Sequence, residues 1–209
     1  MFINEIFYSL QGEGRLTGLP TVFIRTGRCN LRCSYCDTTD AYETGVELSI
    51  DSILHTLTDY TCSHVCVTGG EPMLQPDLIE LLYNLRDRKY ECSIETNGSL
   101  DISPILNIKF PLISCDIKCP SSGMSEKMDL ENIKRLRPQD QLKFIIKDKT
   151  DFSFAIRTLK NTTIECPVYV QPVWGQDIQM IASWILEEHL PIRLGLQQHK
   201  IIWGNQLHH

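Results

Sequence analysis

The segment that decides the fold reads Gly27-Arg28-Cys29-Asn30-Leu31-Arg32-Cys33-Ser34-Tyr35-Cys36-Asp37-Thr38 and spaces three cysteines as C-x3-C-x2-C. A structural zinc site takes four ligands and a ferredoxin cluster takes four thiolates, but no fourth cysteine or histidine lies nearby. Three thiolates leave one iron of a cluster without a protein ligand, and such an open position can bind a reactant. Polar residues between the cysteines make a poor buried strand, which disfavours simple core packing of the triplet. The segment therefore predicts an iron–sulfur cluster with one open iron.

Strand-like runs alternate with helix-like segments along the chain. Apolar residues at helical spacing predict helices over 49–57, behind a Ser/Asp start, and over 77–89, behind Pro76. The strand-like runs cover 21–25, 64–68, 91–95, 112–116, 141–147, 168–171 and 192–197. Repeated βα units imply parallel strands joined by right-handed crossovers. About six units favour an α/β fold with an open, partial (β/α)6-type barrel, since a closed barrel usually needs about 250 residues. We expect a single domain over residues 1–209.

Polar or glycine-rich groups follow five of these strand-like runs. They are Thr68-Gly69-Gly70-Glu71-Pro72, Glu95-Thr96-Asn97-Gly98, Asp116-Ile117-Lys118, Gln171-Pro172 and Gln197-Gln198-His199-Lys200. In open α/β sheets and barrels, chemistry collects at the carboxyl ends of the strands. The sequence therefore predicts that these groups share one active-site rim.

Composition narrows the class of protein. Apolar residues make up 42% and charged residues 22%, as in an ordinary globular protein, and the net charge of -6 argues against a nucleic-acid partner. No apolar run is long enough to cross a bilayer, and the N-terminus lacks a basic leader, so we expect no membrane association and a cytoplasmic location. We interpret His208 and His209, which follow a leucine, as a purification-tag remnant.

Nine cysteines indicate metal or catalytic thiols rather than a disulfide framework, because the number is odd and the chain is not a small secreted one. Outside the triplet, six cysteines lie in or beside apolar strands, which favours core packing. They are Cys62, Cys66, Cys92, Cys115, Cys119 and Cys166. The x3 spacing of Cys115 and Cys119 leaves a second cluster open as a weaker alternative.

The cysteine triplet, the aromatic Tyr35 and the Gly69-Gly70-Glu71 turn resemble the radical S-adenosylmethionine superfamily. The resemblance implies a [4Fe-4S] cluster on Cys29, Cys33 and Cys36, with S-adenosylmethionine on the open iron as the source of a 5′-deoxyadenosyl radical. By this resemblance the radical carries the chemistry, and no protein side chain is assigned as catalytic. The implied cofactor-binding residues are Tyr35, Asp37, Gly69, Gly70, Glu71, Asp116, Ile117, Lys118, Gln171, Pro172, Val173 and Trp174.

Three further features resemble the 7-carboxy-7-deazaguanine synthase family. They are the opening Asn4-Glu5-Ile6-Phe7-Tyr8-Ser9-Leu10-Gln11-Gly12-Glu13-Gly14, the Cys36-Asp37-Thr38 extension of the cluster loop, and Leu196-Gln197-Gln198-His199-Lys200 near the C-terminus. In the last of these, Gln198 stands where the family pattern has threonine. The resemblance spans nearly the whole chain. It implies conversion of 6-carboxy-5,6,7,8-tetrahydropterin to 7-carboxy-7-deazaguanine with loss of ammonia.

A pterin presents hydrogen-bond donors and acceptors along one edge, and its carboxylate calls for a cation such as Arg25, which can bind it with two parallel hydrogen bonds. The same resemblance assigns Mg²⁺ to Thr38. The implied substrate-binding residues are Leu10, Gln11, Gly12, Glu13, Arg25, Thr68, Glu95, Gln197 and His199.

Three rival classes remain at this point. A glycyl-radical activating enzyme shares the triplet and the glycine turn, but the opening and the C-terminal motif disfavour it. An iron–sulfur carrier would need four cysteine ligands, and a zinc-binding interaction domain would need a fourth ligand. By family analogy we also expect a homodimer and an electron donor such as flavodoxin or ferredoxin. The sequence leaves open which pathway uses the product.

Overall fold

The computed structural model describes residues 1–204 and 206, and His208 and His209 lie outside this part of the chain. The described residues form one nine-stranded sheet in the order β3-β1-β2-β4-β5-β6-β7-β8-β9. The strands are β1 (Phe2–Leu10), β2 (Pro20–Thr26), β3 (Val46–Glu47), β4 (His64–Gly69), β5 (Glu91–Thr96), β6 (Leu112–Lys118), β7 (Gln141–Ile146), β8 (Val168–Pro172) and β9 (Ile192–Leu194).

Strands β2 and β4 to β9 form one parallel series, whereas β1 pairs antiparallel with both β2 and β3. The sheet does not close, since β3 and β9 stand at opposite ends of the strand order. The expected open, partial barrel is therefore confirmed. The ends of the sheet differ from the sequence prediction. Strands β1 and β3, which were not predicted, extend the parallel series beyond β2, and β9 ends at Leu194 instead of Gln197.

Helices follow most of the strands. They are α1 (Ile50–Leu57), α2 (Leu78–Asp87), α3 (Ser103–Leu106), α4 (Glu131–Arg135), α5 (Lys149–Lys160), α6 (Ile178–Glu188) and α7 (Gln198–Trp203). Helix α1 begins behind Ser49, whose side chain accepts a hydrogen bond from Ser52 N, as an N-cap residue does. The predicted helices at 49–57 and 77–89 are thus confirmed, with ends that move by one or two residues.

The apolar core lies between the sheet and these helices. Val65 and Val67 of β4, Leu81 of α2 and Ile94 of β5 are all fully buried. Most residues on both faces of the central strands are buried. Among the described residues, no helix combines the length and apolar content needed to cross a bilayer.

Two glycines at the end of β4 let it pack tightly against the loop that starts at Gly27. A Cβ on Gly69 would lie 2.3 Å from Thr26 O, and one on Gly70 would lie 2.0 Å from Arg28 O. Gly69 also has φ +138, a backbone conformation that L side chains rarely adopt. Gly70 N donates to Thr26 O at 2.8 Å. The glycine turn therefore fixes the start of the cysteine loop against the sheet.

Candidate active site

A cavity of about 530 Å³ opens at the carboxyl ends of the parallel strands. This size is within the usual range for small-molecule sites. The predicted residues that line it are Leu10, Gln11, Gly12, Glu13, Arg25, Cys29, Cys33, Tyr35, Cys36, Asp37, Thr38, Thr68, Gly69, Gly70, Glu95, Asp116, Lys118, Gln171, Pro172, Val173, Trp174, Gln197 and His199. The structure thus brings the strand-end groups to one rim, as the sequence predicts. Two predicted residues, Glu71 and Ile117, lie behind the cavity wall.

The cysteine triplet, which we define as Cys29, Cys33 and Cys36, lines one side of this cavity, and all three thiols are free and half-buried. Leu31 N donates to Cys29 Sγ at 3.4 Å, and a side-chain amide from the end of β5 reaches the same sulfur. Burial raises the pKa of Cys29 and of Cys33, so these thiols need a metal to hold them as thiolates.

The donor set fits a cluster better than a single ion. No three His, Cys, Asp or Glu side chains within residues 1–204 and 206 converge as ligands of one metal ion. A four-iron cluster binds each thiolate to a separate iron, so the three sulfurs need not meet at one point. None of the six remaining cysteines lines the cavity, and five of them are buried. This agrees with their predicted core packing.

Glu71 departs from the role that the resemblance implies. Its side chain is fully buried, and its carboxylate accepts hydrogen bonds from Met73 N at 3.0 Å, Thr96 Oγ1 at 2.8 Å and Asn97 N at 2.7 Å. The expectation that Glu71 is a cofactor-binding residue is therefore corrected. Glu71 instead holds the loop after β5, where Asn97 Nδ2 lies 3.8 Å from Cys29 Sγ. Among the predicted residues of this turn, only the two glycines reach the cavity.

The expectation that the side chain of Ile117 binds the cofactor is corrected in the same way. Its side chain points into the core with no exposed surface, because successive side chains of β6 alternate between the two faces of the sheet. Its neighbours Asp116 and Lys118 face the cavity, and Lys118 Nζ lies 3.3 Å from Asp116 Oδ2.

The residues that the resemblance assigns to the cofactor and to the substrate define two halves of the cavity, the cofactor half and the substrate half. In the cofactor half, Gln171 carries two buried amide atoms, Nε2 and Oε1, that lack hydrogen-bond partners within the described chain. A buried polar group without a partner costs free energy, so such atoms commonly bind a ligand. A purine offers donors and acceptors for this amide, so Gln171 fits the base of a nucleoside cofactor.

Two carboxylates face the other half of the cavity, and each is held in place by neighbours. Gln11 Nε2 donates to Glu95 Oε1 at 3.1 Å, and Thr68 Oγ1 donates to Glu95 Oε2 at 3.0 Å. Gln197 Nε2 donates to Glu13 Oε1 at 2.9 Å. Neighbouring donors therefore orient both acceptors, which suit a heterocycle with several N–H donors.

Two more contacts shape the substrate half. Arg25 Nε donates to Glu5 Oε1 at 2.7 Å, which holds the guanidinium from one side. Gly12 packs against His199 so closely that a Cβ there would lie 1.9 Å from His199 Nδ1. Burial lowers the pKa of His199, so its imidazole is neutral at neutral pH.

The C-terminal segment closes one side of the cavity. Gln198 N donates to Gly12 O at 2.9 Å, and Lys200 Nζ forms an ion pair with Asp37 next to the cysteine triplet. Burial works to raise the pKa of Asp37, but the ion pair with Lys200 lowers it overall. The C-terminal motif at residues 196–200 thus contacts both the N-terminal motif at residues 4–14 and the loop that carries the cysteine triplet.

Sequence reasoning missed Lys143, which lines the cavity with a side chain only 1% exposed. Its ammonium lies 2.7 Å from Glu13 Oε2 and 3.0 Å from Asp116 Oδ1. A signal was present, because a lysine inside the apolar run of 141–146 needs a partner if that run is a central strand.

Comparisons with known proteins agree with this geometry. The Radical SAM superfamily model matches residues 23–145. A 7-carboxy-7-deazaguanine synthase from Thermoplasma acidophilum is 38% identical over 98% of both chains. Another from Methanospirillum hungatei is 39% identical, over 97% of this chain and 85% of its own. The crystal structure of QueE from Escherichia coli superposes with a TM-score of 0.77 at 25% identity, over 95% of this chain and 94% of that one.

The open parallel barrel, the cysteine triplet at its rim and the superfamily match together define a radical S-adenosylmethionine protein. Nearly full-length identity with several synthases then gives the particular family: the chain belongs to the 7-carboxy-7-deazaguanine synthase family. These relatives give no support to the alternative of a glycyl-radical activating enzyme.

Proposed function

We propose that this chain converts 6-carboxy-5,6,7,8-tetrahydropterin to 7-carboxy-7-deazaguanine, with loss of ammonia and contraction of a ring. One observation carries the proposal. A single cavity is lined both by the cysteine triplet and by the carboxylates of Glu13 and Glu95. A small heterocycle bound to those acceptors would lie beside a cofactor bound to the cluster.

The substrate half recognises a pterin by its hydrogen-bonding edge. The ring N–H and amino groups of the pyrimidine portion are donors, and Glu13 and Glu95 are acceptors that neighbouring side chains orient. Arg25 supplies the cation for the carboxylate on C6, with Glu5 holding its far side. His199, neutral and packed on Gly12, completes the wall around the ring.

The cofactor half holds S-adenosylmethionine and the [4Fe-4S] cluster. When bound, the two together supply a one-electron route to hydrogen-atom abstraction from a carbon that is not acidic enough for an ordinary base. The chain itself contributes three thiolates, the backbone of Gly69 and Gly70 for the methionyl part, and Asp116 and Gln171 for the nucleoside. Trp174 and Val173 cover the same side of the cavity.

Thr38 offers a hydroxyl oxygen to Mg²⁺ at the cavity wall, where its side chain now donates to Asp37 Oδ1 at 3.2 Å. Magnesium takes few protein ligands and keeps waters or substrate oxygens, so one hydroxyl with the substrate carboxylate fits its chemistry. As further parts of the proposal, residues 1–209 form one domain, the chain works in the cytoplasm as a homodimer, and a flavodoxin or ferredoxin supplies the electron.

The test is anaerobic turnover of cluster-reconstituted protein with S-adenosylmethionine, dithionite, Mg²⁺ and carboxytetrahydropterin, with the product identified by mass. We expect 7-carboxy-7-deazaguanine from the wild type and none from Cys33→Ala. Cys92→Ala is the matched control, because Cys92 is buried in β5 away from the cavity and its loss should leave turnover intact. Consumption of the cofactor without this product would refute the substrate assignment.

A further inference from the structure

Lys143 sits at the boundary between the two halves of the cavity. Its ammonium contacts Glu13 of the substrate half and Asp116 of the cofactor half at ion-pair distances of 2.7 and 3.0 Å. Burying an ammonium is costly unless carboxylates compensate it. The two carboxylates raise the pKa of Lys143 well above its ordinary value, against the effect of burial, so the side chain stays charged.

Each of these carboxylates uses its second oxygen within its own half. Gln197 Nε2 donates to the other oxygen of Glu13 at 2.9 Å, and Lys118 Nζ lies 3.3 Å from the other oxygen of Asp116. Lys143 is therefore the cation that the two halves share.

The sheet fixes the position of this cation. Lys143 lies in β7 directly beside Asp116 of β6 in the parallel register. Glu13, by contrast, lies in the connection between β1 and β2. We call Glu13, Lys143 and Asp116 the ion triad. Its ammonium links the carboxylate of Glu13, which lies in a loop, to strands β6 and β7. A ligand that orders Asp116 therefore also orders Glu13.

We propose that Lys143 is a positioning residue that couples binding of the cofactor to binding of the pterin, by holding Glu13 and Asp116 in one arrangement. This inference rests on the proposed function, because it takes Glu13 as a substrate contact and Asp116 as a cofactor contact. The first ligand orders the triad, and the second then binds a site whose ordering cost has been met. Thermodynamic linkage makes the effect reciprocal, so each ligand tightens the other by the same factor.

The experiment measures affinities by anaerobic titration calorimetry on cluster-reconstituted protein without reductant, so that no turnover occurs. S-adenosylmethionine is titrated alone and with saturating carboxytetrahydropterin, and the reverse titration checks reciprocity. For the wild type we expect each ligand to tighten the other about 10-fold, within the usual range for coupled sites. We call the factor by which one ligand tightens binding of the other the coupling factor. Lys143→Met keeps the apolar part of the side chain and removes the ammonium, so we expect the coupling factor to fall to about 1.

Lys118→Met is the matched control. Lys118 pairs with Asp116 but with no other carboxylate of the described chain. Its removal should weaken binding of S-adenosylmethionine while the wild-type coupling factor remains. If Lys143 only neutralised buried charge, Lys143→Met and Lys118→Met would have the same effect on the coupling factor.

A coupling factor in Lys143→Met within twofold of the wild-type value would overturn the inference. If that variant fails to fold or to take up the cluster, Lys143→Arg decides. The guanidinium of arginine keeps the positive charge and can reach the carboxylates of both Glu13 and Asp116. We therefore expect this variant to keep at least about a third of the wild-type coupling factor. A folded Lys143→Arg without coupling would overturn the inference. A wild type that binds no carboxytetrahydropterin overturns the proposed function as well, whereas binding of both ligands without coupling overturns this inference alone.

Discussion

Replacing Glu71 by glutamine tests whether this acid supports the fold or binds the cofactor. In the structure its carboxylate accepts three hydrogen bonds, two at Oε1 and one at Oε2, and no part of the side chain is exposed. An amide keeps one oxygen and presents an N–H₂ group in place of the other. Whichever way it turns, at least one backbone N–H, that of Met73 or Asn97, then faces a donor.

The expected loss of folding stability in Glu71→Gln follows from these three hydrogen bonds. Losing a hydrogen bond to a charged group costs about 1.5–3 kcal/mol, and a buried donor left without a partner costs about 1–3 kcal/mol. Burial raises the pKa of Glu71, so removing the charge recovers part of this cost. We therefore expect a net loss of about 2 kcal/mol, which lowers the melting temperature of a chain of this size by about 4–8 °C.

The assay is thermal unfolding by circular dichroism without cluster or cofactor, followed by titration of reconstituted protein with S-adenosylmethionine. Glu95→Gln is the matched control, because its carboxylate faces the cavity and receives only side-chain donors, which can reorient. We expect its melting temperature to fall by less than half as much as that of Glu71→Gln. An unchanged melting temperature in Glu71→Gln, together with lost cofactor binding, would refute the supporting role and restore the direct contact.

Three further outcomes follow from burial and packing. In cluster-free protein, iodoacetamide should label the half-buried cysteine triplet at least about 10-fold faster than Cys92 or Cys115, because the thiols of those two cysteines are buried; equal labelling by peptide mass spectrometry would contradict this. Gly12→Ala should displace His199 and weaken pterin binding about 10-fold while cluster content, read from absorbance, stays normal. Burial lowers the pKa of His64, so the unfolded chain takes up a proton first as the pH falls below about 6.5; the melting temperature should drop between pH 7 and pH 5, and less so in His64→Gln.

The cysteine triplet and the strand-end groups could be predicted from the sequence because their chemistry is local. Three cysteines at fixed spacing need no long-range contact to be recognised, and parallel strands bring their carboxyl ends to one edge whatever the details of packing. The glycine turn was recognised as a motif, and the structure adds that Gly69 and Gly70 closely approach the backbone of Thr26 and Arg28.

Long-range packing decided what the sequence did not reveal. The acid of the glycine turn was assigned to the cofactor, since nothing local shows that the donors of Thr96 and Asn97 occupy Glu71. Strand β1 was read as a motif, because its polar residues obscure the alternation of a half-buried strand. Lys143 was overlooked within an apolar run, since its two partners lie 27 and 130 residues away along the chain.

The most direct test of the central claim counts both products of one anaerobic reaction. Reconstituted protein is supplied with S-adenosylmethionine, reductant, Mg²⁺ and 6-carboxy-5,6,7,8-tetrahydropterin, and 7-carboxy-7-deazaguanine and ammonia are quantified together. We expect equal amounts of the two, and we expect both to be lost when Cys33 is replaced by alanine. Cofactor consumption with neither product, or ammonia without the deazaguanine, would contradict it.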